Sequence, residues 1–230
     1  MKVTNLTIKY KKKVILKNIN LEITQSEIIG LVAPNGTGKT TLLRAISGLI
    51  QPQEGSVSIE GKTVHDDREA YYKKLYYVES NHTLYPNLNG MDHLSYVKSV
   101  WESSIDVEVV IRKLGISDYI NKPIKKLSLG MKQHILLAMC IVSDADVILL
   151  DEPMNGLDPT SIRIISKYIE EMKKDDKIFI ISSHILSNID TITDKVLFLK
   201  DGNIVHSIDS KKNGESSENV YNKLYGMEEE

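Results

Sequence analysis

The stretch that most constrains this chain is EIIGLVAPNGTGKTTLLRAISGL, Glu27 to Leu49. It opens on an unbroken apolar run, Ile28 to Val32, which reads as a buried strand. The run gives way to Pro34, Asn35, Gly36, Thr37 and Gly38, a loop poor in bulky side chains. A helix follows, with Leu42, Leu43, Ala45, Ile46 and Leu49 at the three-and-four spacing of one buried side. Strand, glycine loop, Lys39-Thr40 and helix, in that order, describe a cradle for phosphate. Glycines let successive N–H groups turn inward on phosphate oxygens, and the helix start adds roughly half a positive charge. Lys39 brings a full charge to the outer phosphates, and the Thr40 hydroxyl suits Mg²⁺. The first position of the pattern is usually glycine. Ala33 stands there, which is tolerable if its φ stays negative.

A chain of 230 residues with 41% hydrophobic content can bury a sizeable core as one large domain or two small ones. Its net charge of −2 leaves no basic footprint, so nucleic acid is not an expected partner. Cys140, the only cysteine, cannot form an internal disulfide and lies in an apolar helical stretch, where packing is its expected role. The longest apolar run, Ile135 to Val142, is far short of the ~20 residues that span a bilayer. The first residues, MKVTNLTIKY, lack the apolar core of a signal peptide. A membrane task would therefore need a second polypeptide.

Along the chain, residues 2 to 10 alternate as a strand, and Val14 to Ile23 hold a second after the turn Lys11-Lys12-Lys13. Tyr10 ends the first strand, where its ring either stacks on a base or simply packs. Ser56 to Glu60 alternates as a strand, residues 66 to 75 read as helix, and Leu75 to Val78 as a short strand. From Gly90 the pattern turns helical: Met91, Leu94, Val97 and Trp101 share one face, and Val107, Val110, Ile111 and Leu114 another. Residues 82 to 142 form a helical insert. Strand and helix then alternate again: Val147 to Leu150, Ile162 to Met172, Ile178 to Ile181, Leu186 to Ile192, Val196 to Leu199 and Ile204 to Ile208. The polar tail keeps a weak amphipathic stretch at Val220, Leu224 and Tyr225.

Three further features carry chemistry. In DVILLDEP, an apolar strand delivers Asp151 and Glu152 at its C-terminal end, where parallel α/β sheets bind ligands. Asp151 suits Mg²⁺ together with Thr40, and Glu152 suits orienting and deprotonating an attacking water. LSLGMKQ opens a helix with Ser128 at a capping position and Gly130 in the first turn. That is either an anion-ready helix start or a plain cap. His184 follows the strand that ends at Ser182. His65, His82, His93, His134 and His206 show no metal-ligand spacing.

These elements together resemble the nucleotide-binding subunit of ATP-binding-cassette (ABC) transporters, from Tyr10 to about Ile208. The resemblance implies that Tyr10 stacks on adenine and that Asn35, Gly36, Thr37, Gly38, Lys39, Thr40 and Thr41 hold the phosphates of ATP. It makes Thr40 and Asp151 the Mg²⁺ side of the site, Glu152 the general base and His184 the switch at the terminal phosphate. Leu127, Ser128 and Gly130 match the family signature, which completes the ATP site of the opposite subunit. Asn155, Gly156, Leu157 and Asp158 match the loop crossing the dimer interface. Leu129 and Met131 depart from the usual LSGGQ signature. The form LSLGMKQ, like NGLD, resembles the bacitracin-resistance and lantibiotic-immunity branch, although His134 stands where that branch commonly has Arg. Ser80, preceded by Glu79, occupies the aligned position of a glutamine that normally touches Mg²⁺ and senses the membrane partner.

The resemblance implies a single ABC ATPase domain over residues 1–230. Its fold is α/β: a RecA-like P-loop NTPase core with a parallel sheet, an antiparallel β layer mainly within residues 1–64, and a helical subdomain over about 82–142. The implied function is ATP hydrolysis driving export of antimicrobial peptides or other amphipathic compounds. The implied setting is a head-to-tail homodimer or heterodimer bound to a separately encoded transmembrane permease, on the cytoplasmic face of the membrane. A soluble ABC ATPase acting on ribosomes or DNA is the alternative. Ribosome-associated forms usually carry two cassettes, and chromosome proteins carry a long coiled coil; this chain has neither.

Overall fold

The computed structural model describes residues 1–79, 83–184, 186–210 and 216–226. Strands β1 (Lys2–Tyr10) and β2 (Lys13–Glu22) form a hairpin, and β3 (Ile28–Val32) runs into the glycine loop and helix α1 (Lys39–Ile46). Strands β4 (Glu54–Ile59) and β5 (Lys62–Thr63) precede α2 (Arg68–Lys73) and β6 (Leu75–Val78). The helical stretch holds α3 (Gly90–Trp101), α4 (Val107–Leu114), a 3-10 turn at Ile124–Lys126 and α5 (Leu129–Ser143). The remainder alternates β7 (Val147–Asp151), α6 (Pro159–Lys173), β8 (Ile178–Ser183) and α7 (Leu186–Ile192), then β9 (Lys195–Lys200), β10 (Asn203–Asp209) and α8 (Ser217–Tyr225).

These strands make two sheets. One is antiparallel, in the order β2-β1-β4-β5. The other runs β10-β9-β3-β8-β7-β6, parallel except for β10 at its edge. Every residue of β3 and β7 is buried, as expected of strands covered on both faces. One core layer joins the antiparallel sheet and α1 to the larger sheet through Leu42, Leu43, Ile46, Leu149 and Ile180. The other joins α3 to α7 to the opposite face through Leu94, Ile111, Ile135, Ile148 and Ile181. The RecA-like α/β architecture expected from the sequence is thus present.

Two local expectations change. Leu49 does not share the buried side of α1: the helix stops at Ile46, Gly48 turns the chain at φ 74°, and Leu49 is 62% exposed. A glycine in the left-handed region just past a helix end is a common stop. The strand expected at Ser56 begins earlier, at Glu54. There Gly55, at φ 82°, packs so tightly on β1 that an added Cβ would lie 2.3 Å from the Thr4 carbonyl oxygen.

Candidate nucleotide site

Strand β8 lies between β3 and β7 in register, with Val32 opposite Ser183 and Asp151 opposite Ser182. The C-terminal ends of three strands from distant parts of the sequence therefore open on one place, the end where α/β sheets take ligands. A cavity of about 250 Å³ lies there, lined by Tyr10, Ile15, Asn35, Gly36, Gly38, Lys39, Thr40, Thr41 and Glu152.

The glycine loop is shaped as its sequence requires. Gly36 and Gly38 have φ of 80° and 114°, a region that side chains avoid. Ala33 keeps a negative φ, so the missing first glycine imposes no strain there. Thr37 Oγ1 donates to the Pro34 carbonyl at 2.7 Å, closing the loop on itself. Helix α1 starts at Gly38 with no side-chain cap, which leaves its N-terminal donors for a ligand. The Lys39 side chain is buried; its Nζ donates to the Ala33 carbonyl at 2.7 Å and lies 3.5 Å from Glu152 Oε1. A buried ammonium held at close range by a carbonyl, with the Glu152 carboxylate only at 3.5 Å, keeps much of its charge for a polyphosphate.

The acidic side is equally ordered. Thr40 Oγ1 donates to Asp151 Oδ2 at 2.6 Å, and Ser182 Oγ donates to Asp151 Oδ1. Ser182 also accepts the Glu152 N–H, on Oγ at 2.9 Å and on its carbonyl at 3.2 Å. Glu152 sits at φ 53°, a conformation uncommon for a residue with a side chain, and those two acceptors hold it. Its Oε2 meets His184 Nδ1 at 2.8 Å. Adjacent carboxylates thus face different work: Asp151 is turned in to Thr40, and Glu152 lies on the cavity wall between Lys39 and His184. Thr40 and Asp151 offer the one or two protein oxygens through which Mg²⁺ is usually held beside phosphate. Tyr10 stands on the cavity rim, 49% exposed.

Not every expected site residue joins this group. Ser128 caps α5, its Oγ accepting the Met131 N–H at 3.3 Å, and neither Ser128 nor Gly130 lines the cavity. Gly130 lies against the start of α6, where a Cβ would come 3.0 Å from Ser161 Oγ. Gly156, of the NGLD loop, stands so close that a Cβ there would lie 3.0 Å from Leu129 Cδ2. The signature and that loop are one surface, separate from the cavity of the same chain. Ser80, aligned with the metal-sensing glutamine, lies outside the described residues. Ser182 went unrecognised in the sequence, where a serine at a strand end gives no motif signal; only the register of β7 and β8 reveals it.

The sequence profile of the ABC transporter family matches residues 16–155. The lantibiotic transport ATP-binding protein SrtF of Streptococcus pyogenes is 32% identical over 221 residues, covering 96% of this chain and 93% of that one. A solved structure described as the ATP-binding subunit of an ABC transporter superposes with a TM-score of 0.89 at 24% identity, over 97% of this chain and 98% of its own. CbiO1 of Clostridium perfringens, part of the ABC transporter complex cbiONQ, superposes with a TM-score of 0.78 at 25% identity, over 91% of this chain and 88% of its own. With a phosphate cradle, paired acids and a cassette fold in place, this chain belongs to the ABC transporter family as an ATP-binding subunit and is an ATPase.

Proposed function

We propose that this subunit hydrolyses ATP to power export of antimicrobial peptides or other amphipathic compounds through a separately encoded transmembrane permease. The observation that carries the hydrolytic reading is Glu152, fixed on the cavity wall by Ser182 and contacting both Lys39 and His184. Lys39 and the N–H groups of Asn35 to Thr41 bind the phosphates, and Tyr10 takes the adenine. Glu152 orients a water and accepts its proton, and His184 holds the Glu152 carboxylate from the far side. Thr40 and Asp151 would hold Mg²⁺, which would supply charge neutralisation beside the phosphates. A general base in this position contributes typically about 10²–10⁴-fold to the rate.

Residues 1–230 act as a single ABC ATPase domain. Two copies, or this chain and a related one, face each other head to tail. Each Lys39 loop then meets the Ser128 and Gly130 of the opposite subunit. The separation of that surface from the chain's own cavity supports this pairing. The subunit works on the cytoplasmic face of the membrane through its permease. Among the described residues no helix is long and apolar enough to cross a bilayer, in keeping with a separate permease. The substrate class is supported by the likeness to SrtF. The test is lantibiotic tolerance of a strain lacking this chain, complemented with wild type or with Glu152→Gln. Lost tolerance restored by wild type alone supports the reading. Unchanged tolerance in the deletion strain refutes the substrate class and leaves the ATPase assignment standing.

A further inference from the structure

Helix α1 leaves the phosphate loop with two polar side chains one turn apart on the same face, Thr40 and Arg44. Thr40 reaches Asp151 at the end of β7. Arg44 Nη2 pairs with Oε1 of Glu79, the first residue beyond β6. Strands β6 and β7 are parallel neighbours with Tyr77 opposite Leu149. The residues two further on, Glu79 and Asp151, therefore leave the sheet on the same side. The α1 face thus makes two rungs, one to each strand end.

Tyr77 stands between the rungs, its ring packed in the layer that holds Leu42, Leu43 and Leu149. Its hydroxyl is buried and not engaged in a hydrogen bond of ordinary geometry. Burial pushes the phenol pKa up, and the charges of Asp151 and Glu79 push the same way, so it stays neutral. Leu84 is buried in the core of the helical layer. The Tyr85 N–H donates to His93 Nε2 of α3 at 3.0 Å, while His93 Nδ1 donates to the Asn89 carbonyl at 2.7 Å. Glu79 is thus held by Arg44, and Tyr85 by the buried His93.

We propose that Arg44 and Glu79 are a positioning pair for hydrolysis, making the phosphate-loop helix and the end of β6 move as one body. A half-exposed ion pair adds little to fold stability. What this one constrains is geometry. Without it, α1 meets β6 through apolar packing alone, at Leu75 and the Tyr77 ring, which does not fix the position of Glu79. The Thr40–Asp151 rung and the Lys39 cradle are untouched by its loss, so ATP affinity stays while the end of β6 loses its anchor. The pair uses the ATPase activity established above as one readout, and a second readout needs no nucleotide.

The experiment compares Arg44→Gln, Glu79→Gln and the charge-swapped double variant Arg44→Glu/Glu79→Arg. It measures kcat and KM for ATP, and amide hydrogen exchange of the peptide from Leu75 to Glu79 in nucleotide-free protein. Each single variant is expected to lower kcat about 3- to 10-fold, toward the low end of couplings between contacting groups, with KM within about twofold. Each also speeds exchange of that peptide, and the swapped variant recovers most of both. Arg44→Lys, which keeps the charge and loses the planar fork, falls between wild type and Arg44→Gln. Wild-type kcat and exchange in the single variants overturn the proposal. A swapped variant as impaired as the product of the two singles overturns it too. Loss of kcat without faster exchange would place Arg44 in the chemistry itself and equally overturn a positioning role.

Discussion

Ser182→Ala isolates a bond on which both acids depend. The Ser182 hydroxyl is fully buried, donates to Asp151 Oδ1 and accepts the Glu152 N–H. Removing it leaves the Glu152 N–H with the Ser182 carbonyl at 3.2 Å, so that donor keeps a partner. Asp151 Oδ1 loses a donor inside a buried carboxylate, while Oδ2 keeps Thr40. Hydrogen bonds to charged groups contribute about 1.5–3 kcal/mol, and the loss here should fall in that range. For a chain of this size each kcal/mol moves the melting midpoint by about 2–4 °C, so the expected fall is roughly 3–12 °C. Calorimetry on nucleotide-free protein measures it. Mg²⁺ and ATP give the orphaned oxygen a new electrostatic partner, so the deficit narrows when both are present. A fall below about 1 °C without nucleotide would refute the argument, as would a deficit that widens with ligand.

Three further outcomes are expected. Lys39→Ala nearly abolishes ATP binding because the cradle loses its buried positive charge; wild-type affinity in a nucleotide titration would contradict the assignment. Glu152→Gln keeps ATP binding, slows hydrolysis roughly 10²–10⁴-fold and traps an ATP-bound dimer on size-exclusion chromatography; undiminished turnover removes Glu152 from its role, and a strict monomer at high concentration counts against the paired arrangement. Gly30→Ala puts a Cβ 2.7 Å from Ile189 Cγ2 and 3.1 Å from Thr193 Cγ2, so β3 and the end of α7 must part. Overpacking of that kind costs about 1–3 kcal/mol, and an unchanged denaturation midpoint would show that α7 yields freely.

Much of the site was legible because its chemistry is local in sequence. Gly36, Gly38, Lys39 and Thr40 lie in one loop, and Asp151-Glu152 closes one apolar strand. β3 and β7 read directly from their composition, since a strand covered on both faces needs no polar alternation. What escaped depends on who sits beside whom. Ser182 matters through its register with Asp151, and Arg44 through a partner just past the end of β6, two places across the sheet from β8. Leu49 was misplaced because its spacing fits a helix that Gly48 has already ended. The order β3-β8-β7 follows from no single segment, although every one of these strands is plain by itself.

That strand order has a consequence for how the chain matures. Thr40 and Asp151 are 111 residues apart in sequence, and β3 pairs with β8 across a still longer span. Contacts so remote carry a loop-closure cost before they return anything, which makes them slow to form. A partly folded chain can hold the phosphate loop and its helix and still lack both acids and Ser182. Nucleotide that engages all of these therefore selects the completed topology. By mass action, ligand at about one hundred times its dissociation constant favours that state by about 2.7 kcal/mol. Cellular ATP, normally counted as the fuel of such a subunit, then also acts as a chaperone-like check on whether β8 has been threaded between β3 and β7.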